Sequence, residues 1–383
     1  MFEQFVAFVR ELYRVQPEEF IPLHVPRFWG NEKKYVLDCI DSTFVSSVGE
    51  YVNRFERMMA EIAGTKYAVA TVNGTNGLQV ALRIAGVVPG DLVVTQPLTF
   101  IATCNAIRYQ GADPLFVDVD ESTLGLSAAK LESFFEEVTY LNNQGECIHQ
   151  ASGKRIAACV PMHTFGHPVE IDTIASICQK NQVPLIEDSA ESLGSYYRNQ
   201  HTGTFGLAGV FSFNGNKTVT CGGGGAIVTN DEVLAAKAKY LTTQAKVPHA
   251  WEYVHDEIGY NYRLPNINAA LACAQLEQLP LFLSRKREVA ESYGQYLTSL
   301  GQNFVREPEA AASNYWLNAI LLRDREERES FLEYTNKSGV MTRPVWQLMH
   351  HLPMFKNCLK EEVAVAEKLA DRLVNIPSSV PEN

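Results

Sequence analysis

Ile156-Ala-Ala-Cys-Val-Pro161, Ile171-Asp-Thr-Ile-Ala-Ser-Ile-Cys-Gln-Lys-Asn181 and Pro184-Leu-Ile-Glu187 follow one another along the chain. The first and third runs are apolar at successive positions, as a strand buried on both faces must be, and the middle run repeats its apolar residues at helical spacing. A helix between two such strands is the crossover of a parallel pair. The alternation extends outward, with helices expected over 55–63 and 77–85 and strands over 91–95, 114–119, 209–213 and 226–229. The expected fold is therefore α/β, a mainly parallel (mixed) sheet flanked by helices.

After about residue 276 the texture changes. Helices are expected over 281–297 and 326–336, a strand over 316–322 and a final helix over 363–374, which makes a smaller α+β unit. The reading divides the chain into an N-terminal helical segment (1–30), a large α/β domain (31–258) and a small C-terminal domain (259–383). No Pro/Ser-rich linker separates the last two, so a packed interface is expected between them. The start, Met1 to Tyr13, reads as an amphipathic helix whose acids distinguish it from a signal peptide. No apolar run reaches the roughly 18 residues a membrane span needs. The eight cysteines are scattered without a Cys-x-x-Cys pair, as reduced core residues are, and the expected location is the cytoplasm. With 33 basic and 44 acidic residues among 383 the net charge is −11, which argues against nucleic acid or an anionic membrane as partner.

In open α/β sheets ligands bind beyond the carboxyl ends of the strands, and the polar clusters fall at such places. Val210-Phe-Ser-Phe-Asn-Gly-Asn-Lys217 delivers one lysine from an apolar run into a polar turn, and Gly222 to Gly225 follow. A lysine that forms an imine with a carbonyl cofactor needs partial desolvation and polarising neighbours, and glycines let backbone come close to a bulky group. A plain turn with a glycine-rich return reads equally well from these residues. Asn73-Gly-Thr-Asn-Gly77 opens a helix, either as an anion cradle or as an ordinary N-cap. Phe100 stands at a strand exit, where it stacks on a flat ring or fills core. Glu187-Asp-Ser-Ala-Glu191 brings acids to a strand end, where they pair with a ring nitrogen or a metal, or cap the next helix. His163 and His167 flank a loop glycine, no His-Glu-x-x-His occurs, and the neighbours His350 and His351 carry no pattern, so no metal is expected. Walker, Gly-x-Gly-x-x-Gly and Gly-x-Ser-x-Gly motifs are missing from their required contexts.

The combination says more than its parts. Gly74, Thr75, Asn76, Phe100, Asp188, Ser212 and Lys217 together supply the phosphate donors, ring stack, ring-nitrogen partner and imine lysine that pyridoxal 5'-phosphate (PLP) requires. With Phe44-Val-Ser-Ser-Val-Gly49, Pro161-Met-His-Thr-Phe-Gly166, Pro377-Ser-Ser379 and the run Gly259-Tyr-Asn-Tyr-Arg-Leu-Pro-Asn-Ile-Asn-Ala-Ala-Leu271, the sequence resembles the DegT-type nucleotide-sugar aminotransferases over nearly its whole length. The resemblance implies a fold type I PLP-dependent transferase in which Lys217 is the imine lysine and proton shuttle. Asp188 would keep the ring nitrogen protonated, Phe100 would stack on the ring, and Thr75, Asn76 and Ser212 would hold the phosphate. Asn261 would reach the phosphate from the neighbouring subunit of a homodimer, and Glu191 and His163 would line the ring. L-glutamate would donate the amino group and a nucleotide-linked keto sugar would accept it, in two half-reactions.

Ile21-Pro-Leu-His24, residues 41–49 and Phe213-Asn-Gly-Asn-Lys217 look most like the branch that aminates C4 of UDP-4-keto-6-deoxy-N-acetylglucosamine; a GDP- or dTDP-linked sugar, aminated at C3 or C4, is the alternative. Two readings compete with transamination. Related sugar dehydratases replace the lysine by histidine, which Lys217 opposes, and a non-catalytic regulator would not need the full set of cofactor contacts. One departure stands out: many relatives carry Gly-Glu-Gly-Gly after the lysine, and here Gly223 replaces the glutamate.

Overall fold

The apolar runs become one mixed sheet in the computed structural model, which describes residues 2–382. Its order is Asp113–Phe116, Leu92–Thr95, Ile156–Val160, Ile186–Asp188, Ala208–Ser212, Gly225–Thr229 and Tyr67–Thr71. Parallel bridges Cys159 to Leu185 and Met162 to Asp188 join the third strand to the fourth. Gly225–Thr229 runs antiparallel to both its neighbours, and the other pairings are parallel. Every residue of Ile156–Val160 is buried, as expected of a strand with helices on both sides. The crossover helix Ile171–Lys180 turns Ile171, Ile174, Ile177 and Cys178 inward at helical spacing.

Further along the chain Asn303–Phe304, Asn318–Leu321, Leu373–Ile376 and Arg343–Pro344 form a separate antiparallel sheet. The helix expected over 363–374 is only Ala364–Ala370; Leu373–Ile376 is a strand that pairs with Asn318–Leu321. All four strand residues are buried, and a β ladder satisfies their backbone where a helix end would leave carbonyls open. The N-terminal helix runs Phe2–Tyr13, and Met1 lies outside the described residues. Its Phe5, Val9 and Tyr13 share a core with Tyr293, Phe331 and Ile376, so the first segment packs onto the C-terminal part of the chain. The boundary expected at residue 259 falls inside another packed region. Helix Asn266–Glu277 buries Ala269, Ala272, Cys273 and Leu276 against Phe55, Phe211 and Phe213. No described helix is long and apolar enough to cross a membrane. The eight cysteines are free, with Cys358 half-buried and the other seven buried.

Candidate active site

Neighbouring side chains of a strand point to opposite faces, and at the end of Ile186–Asp188 this separates two acids. Glu187 faces the loop that leads to the next strand. Its carboxylate accepts from the backbone amides of Gly203 (2.7 Å), Phe205 (2.6 Å) and Gly206 (3.0 Å) and from His163 Nε2 (3.1 Å). Four donors on one fully buried carboxylate make it a structural anchor. Glu187→Ala leaves those donors dry and is expected to cost about 3 kcal/mol or more, read as a lower urea midpoint.

Asp188 takes the other face and enters the cavity. Thr103 Oγ1 donates to its Oδ2 at 2.6 Å and the Ala190 amide to its Oδ1 at 3.2 Å. Burial pushes this carboxyl above its ordinary range, against the pull of those hydrogen bonds and of Lys217. A carboxylate kept there is made for a cationic partner.

Helix Gly74–Ile84 starts beside Ser212. Asn73 caps it, its Oδ1 accepting from the Asn76 amide at 2.8 Å. The Asn76 amide is thus occupied, and Asn76 does not line the cavity. Gly74 and Thr75 do line it, and among the described residues their amides have no partner, which leaves the positive end of the helix open to an anion. Of the glycine run after Lys217, Gly225 packs tightly against this helix start. A Cβ on Gly225 would lie 2.5 Å from the Asn73 carbonyl carbon, whereas one on Gly223 would meet only the Val72 oxygen at 3.9 Å. The missing glutamate is therefore not a steric necessity.

Lys217 Nζ lies 3.3 Å from Glu191 Oε1 and 3.9 Å from the ring centre of Trp316. The Phe165 amide donates to the second Glu191 oxygen at 2.9 Å. Burial raises the Glu191 carboxyl to about 7, with the Lys217 charge opposing. Phe100 is 47% exposed, immediately precedes the helix Ile101–Tyr109 and meets Trp346 edge to face at 6.0 Å. Gly74, Thr75, Phe100, Asp188, Glu191, Ser212 and Lys217 enclose a cavity of about 260 Å³.

Besides Asn76, two expected members stand apart from it. His163 lies behind the strand, donating through Nε2 to Glu187 and accepting the Val169 amide at Nδ1 (3.3 Å). Asn261 is exposed and accepts from Arg263 Nε at 3.1 Å. Thr103, Trp316 and Trp346 escaped the sequence reading, since nothing local marks them. His350 and His351 both reach one Glu367 oxygen, at 2.8 and 3.0 Å, away from the cavity.

His167 packs edge to face on Tyr315 at 5.3 Å, and both its ring nitrogens are buried without partners. Burial holds its pKa down at about 4, with Glu307 opposing. Between that value and the ordinary 6.5 the unfolded chain takes up a proton that the folded one refuses. Stability from this group is complete above about pH 6.5 and falls by up to about 3 kcal/mol as pH drops to 4. Urea unfolding of His167→Phe is expected to lose correspondingly less stability than the parent between pH 7 and 4.5; equal losses would contradict this.

The donor set suits PLP: open helix amides for a phosphate, a buried carboxylate for a ring cation, an exposed aromatic face and an amine in one cavity. Comparison with known proteins agrees. Residues 28–381 match the family described as DegT/DnrJ/EryC1/StrS aminotransferase family. GDP-perosamine synthase of Escherichia coli O157:H7 is 39% identical over 360 residues, covering 94% of this chain and 93% of that protein. The putative pyridoxal phosphate-dependent aminotransferase EpsN of Bacillus subtilis is 37% identical, covering 94% and 90%. The solved aminotransferase TlmJ of Streptoalloteichus hindustanus superposes with a TM-score of 0.84 at 28% identity, covering 94% and 93%. The chain belongs to the DegT/DnrJ/EryC1/StrS family and is a PLP-dependent sugar aminotransferase.

Proposed function

We propose that this enzyme transfers the amino group of L-glutamate to C4 of a GDP-linked 4-keto-6-deoxy sugar. The similarity to GDP-perosamine synthase over 94% of the chain carries the choice of nucleotide. The UDP-linked N-acetyl sugar is the second reading, favoured by Ile21-Pro-Leu-His24 and the segment 41–49.

Bound PLP supplies an electron sink and a temporary carrier for nitrogen. The chain's own groups do the rest. Lys217 Nζ takes and returns the proton at the reacting carbon, and the Glu191 carboxylate 3.3 Å away steadies the charge it then carries. Asp188 would balance a cationic ring nitrogen, Phe100 would stack on the ring, and the Gly74 and Thr75 amides with Ser212 would hold the phosphate. His163 acts through Glu187, holding the strand end that carries Asp188. We assign Asn261 to the phosphate of a second subunit, which makes the working unit a homodimer, and the cytoplasm as its location.

Purified enzyme with L-glutamate, offered GDP-, UDP- and dTDP-linked 4-keto-6-deoxy sugars, is expected to favour the GDP sugar at least about tenfold in kcat/KM. A preference of that size for the UDP sugar would transfer the assignment to the second reading.

A further inference from the structure

We infer that Trp316 is a positioning residue that holds the ε-ammonium of Lys217 whenever this nitrogen is not joined to the cofactor. The inference rests on the role given to Lys217 above. Nζ has two walls around it, Glu191 Oε1 at 3.3 Å and the indole face with its centre at 3.9 Å. An indole is the strongest aromatic partner for an ammonium, and this one is only 4% exposed, so water weakens the attraction little.

The ring is fixed from several sides. Its Nε1 donates to the carbonyl of Asn216, the residue before Lys217, at 2.7 Å. Its backbone amide donates to Asn314 Oδ1 at 2.8 Å, and its carbonyl accepts from the buried Lys286 Nζ at 3.2 Å. Asn314 Nδ2 in turn donates to the carbonyls of Glu191 and Leu193, both at 2.9 Å. One asparagine thus ties the backbone of Trp316 to the loop that carries the opposite wall. A distant segment of the chain thereby sets where Lys217 rests.

The consequence is asymmetric. The aldehyde of pyridoxal phosphate would condense with the deprotonated lysine nitrogen and release water, whereas pyridoxamine 5'-phosphate has no carbonyl to join and would leave the nitrogen free to lie against the ring. Trp316 therefore favours the amino form of the cofactor over the aldehyde form.

The full chain, freed of cofactor, is titrated with each form by fluorescence and absorbance. Trp316→Leu is expected to weaken the amino form relative to the aldehyde form by about two- to thirtyfold, the span of a cation–π contact. Trp316→Phe keeps a ring face and the packing, and its ratio is expected between those of the parent and the leucine variant. It also serves as the test if the leucine variant does not fold. An unchanged ratio, or equal loss of both forms as a purely structural role would give, overturns the inference. Failure of the underlying reading looks different: the parent would then bind PLP without the visible band of a lysine-joined cofactor and would match Lys217→Ala.

Discussion

Lys217→Ala is expected to lower turnover at least about 10³-fold, because in the proposed function one nitrogen both captures the cofactor and carries the proton. The substitution removes little else. The side chain is 13% exposed and packs against Glu191 and the Trp316 face, so the fold has few contacts to lose. Glu191 then faces the cavity without its cation, which raises its carboxyl further, and no base is left in the right place. The variant is expected to bind PLP without the visible band of the parent and to keep the parent's thermal unfolding within a few degrees. Turnover above about a tenth of the parent's would remove the lysine from the chemistry.

Asp188→Asn is expected to reduce kcat by about 10² or more while leaving the protein folded. The amide is close in shape to the carboxylate, its oxygen can keep the Ala190 hydrogen bond, and the Thr103 hydroxyl can turn to accept instead of donate. What disappears is a negative charge, and its purpose is electrostatic: a cationic ring nitrogen in a buried cavity is stable only beside such a charge. In the free protein this carboxyl sits above its ordinary range through burial, and a cation bound against it draws it back down. PLP affinity is therefore expected to fall toward acid pH in the parent more steeply than in the asparagine variant. A variant with unchanged kcat would place the ring-nitrogen partner elsewhere.

Periodicity made the mixed sheet legible. Strand Ile156–Val160, helix Ile171–Lys180 and strand Ile186–Asp188 lie where their apolar spacing puts them, because each carries its own burial pattern. The final helix was overextended for the same reason. Leu373-Val-Asn-Ile376 continues the apolar texture of the helix before it with no glycine or proline between, and only the partner strand Asn318–Leu321 decides its conformation. Asp188 stood out as the ring-nitrogen partner, and the strand gives it the cavity face while turning Glu187 to the opposite one. Asn76 looked like a free donor because the sequence does not tell which amide Asn73 will cap. Trp316 reaches Lys217 from a distant part of the chain, so no local spacing announces it.

Mixing PLP-loaded enzyme with L-glutamate and following the visible band of the bound cofactor tests the central claim most directly. The band is predicted to bleach without any sugar present, one equivalent per site, and to return on adding the GDP-linked keto sugar. A band that L-glutamate leaves unchanged would contradict the assignment of this chain to glutamate-dependent amino transfer.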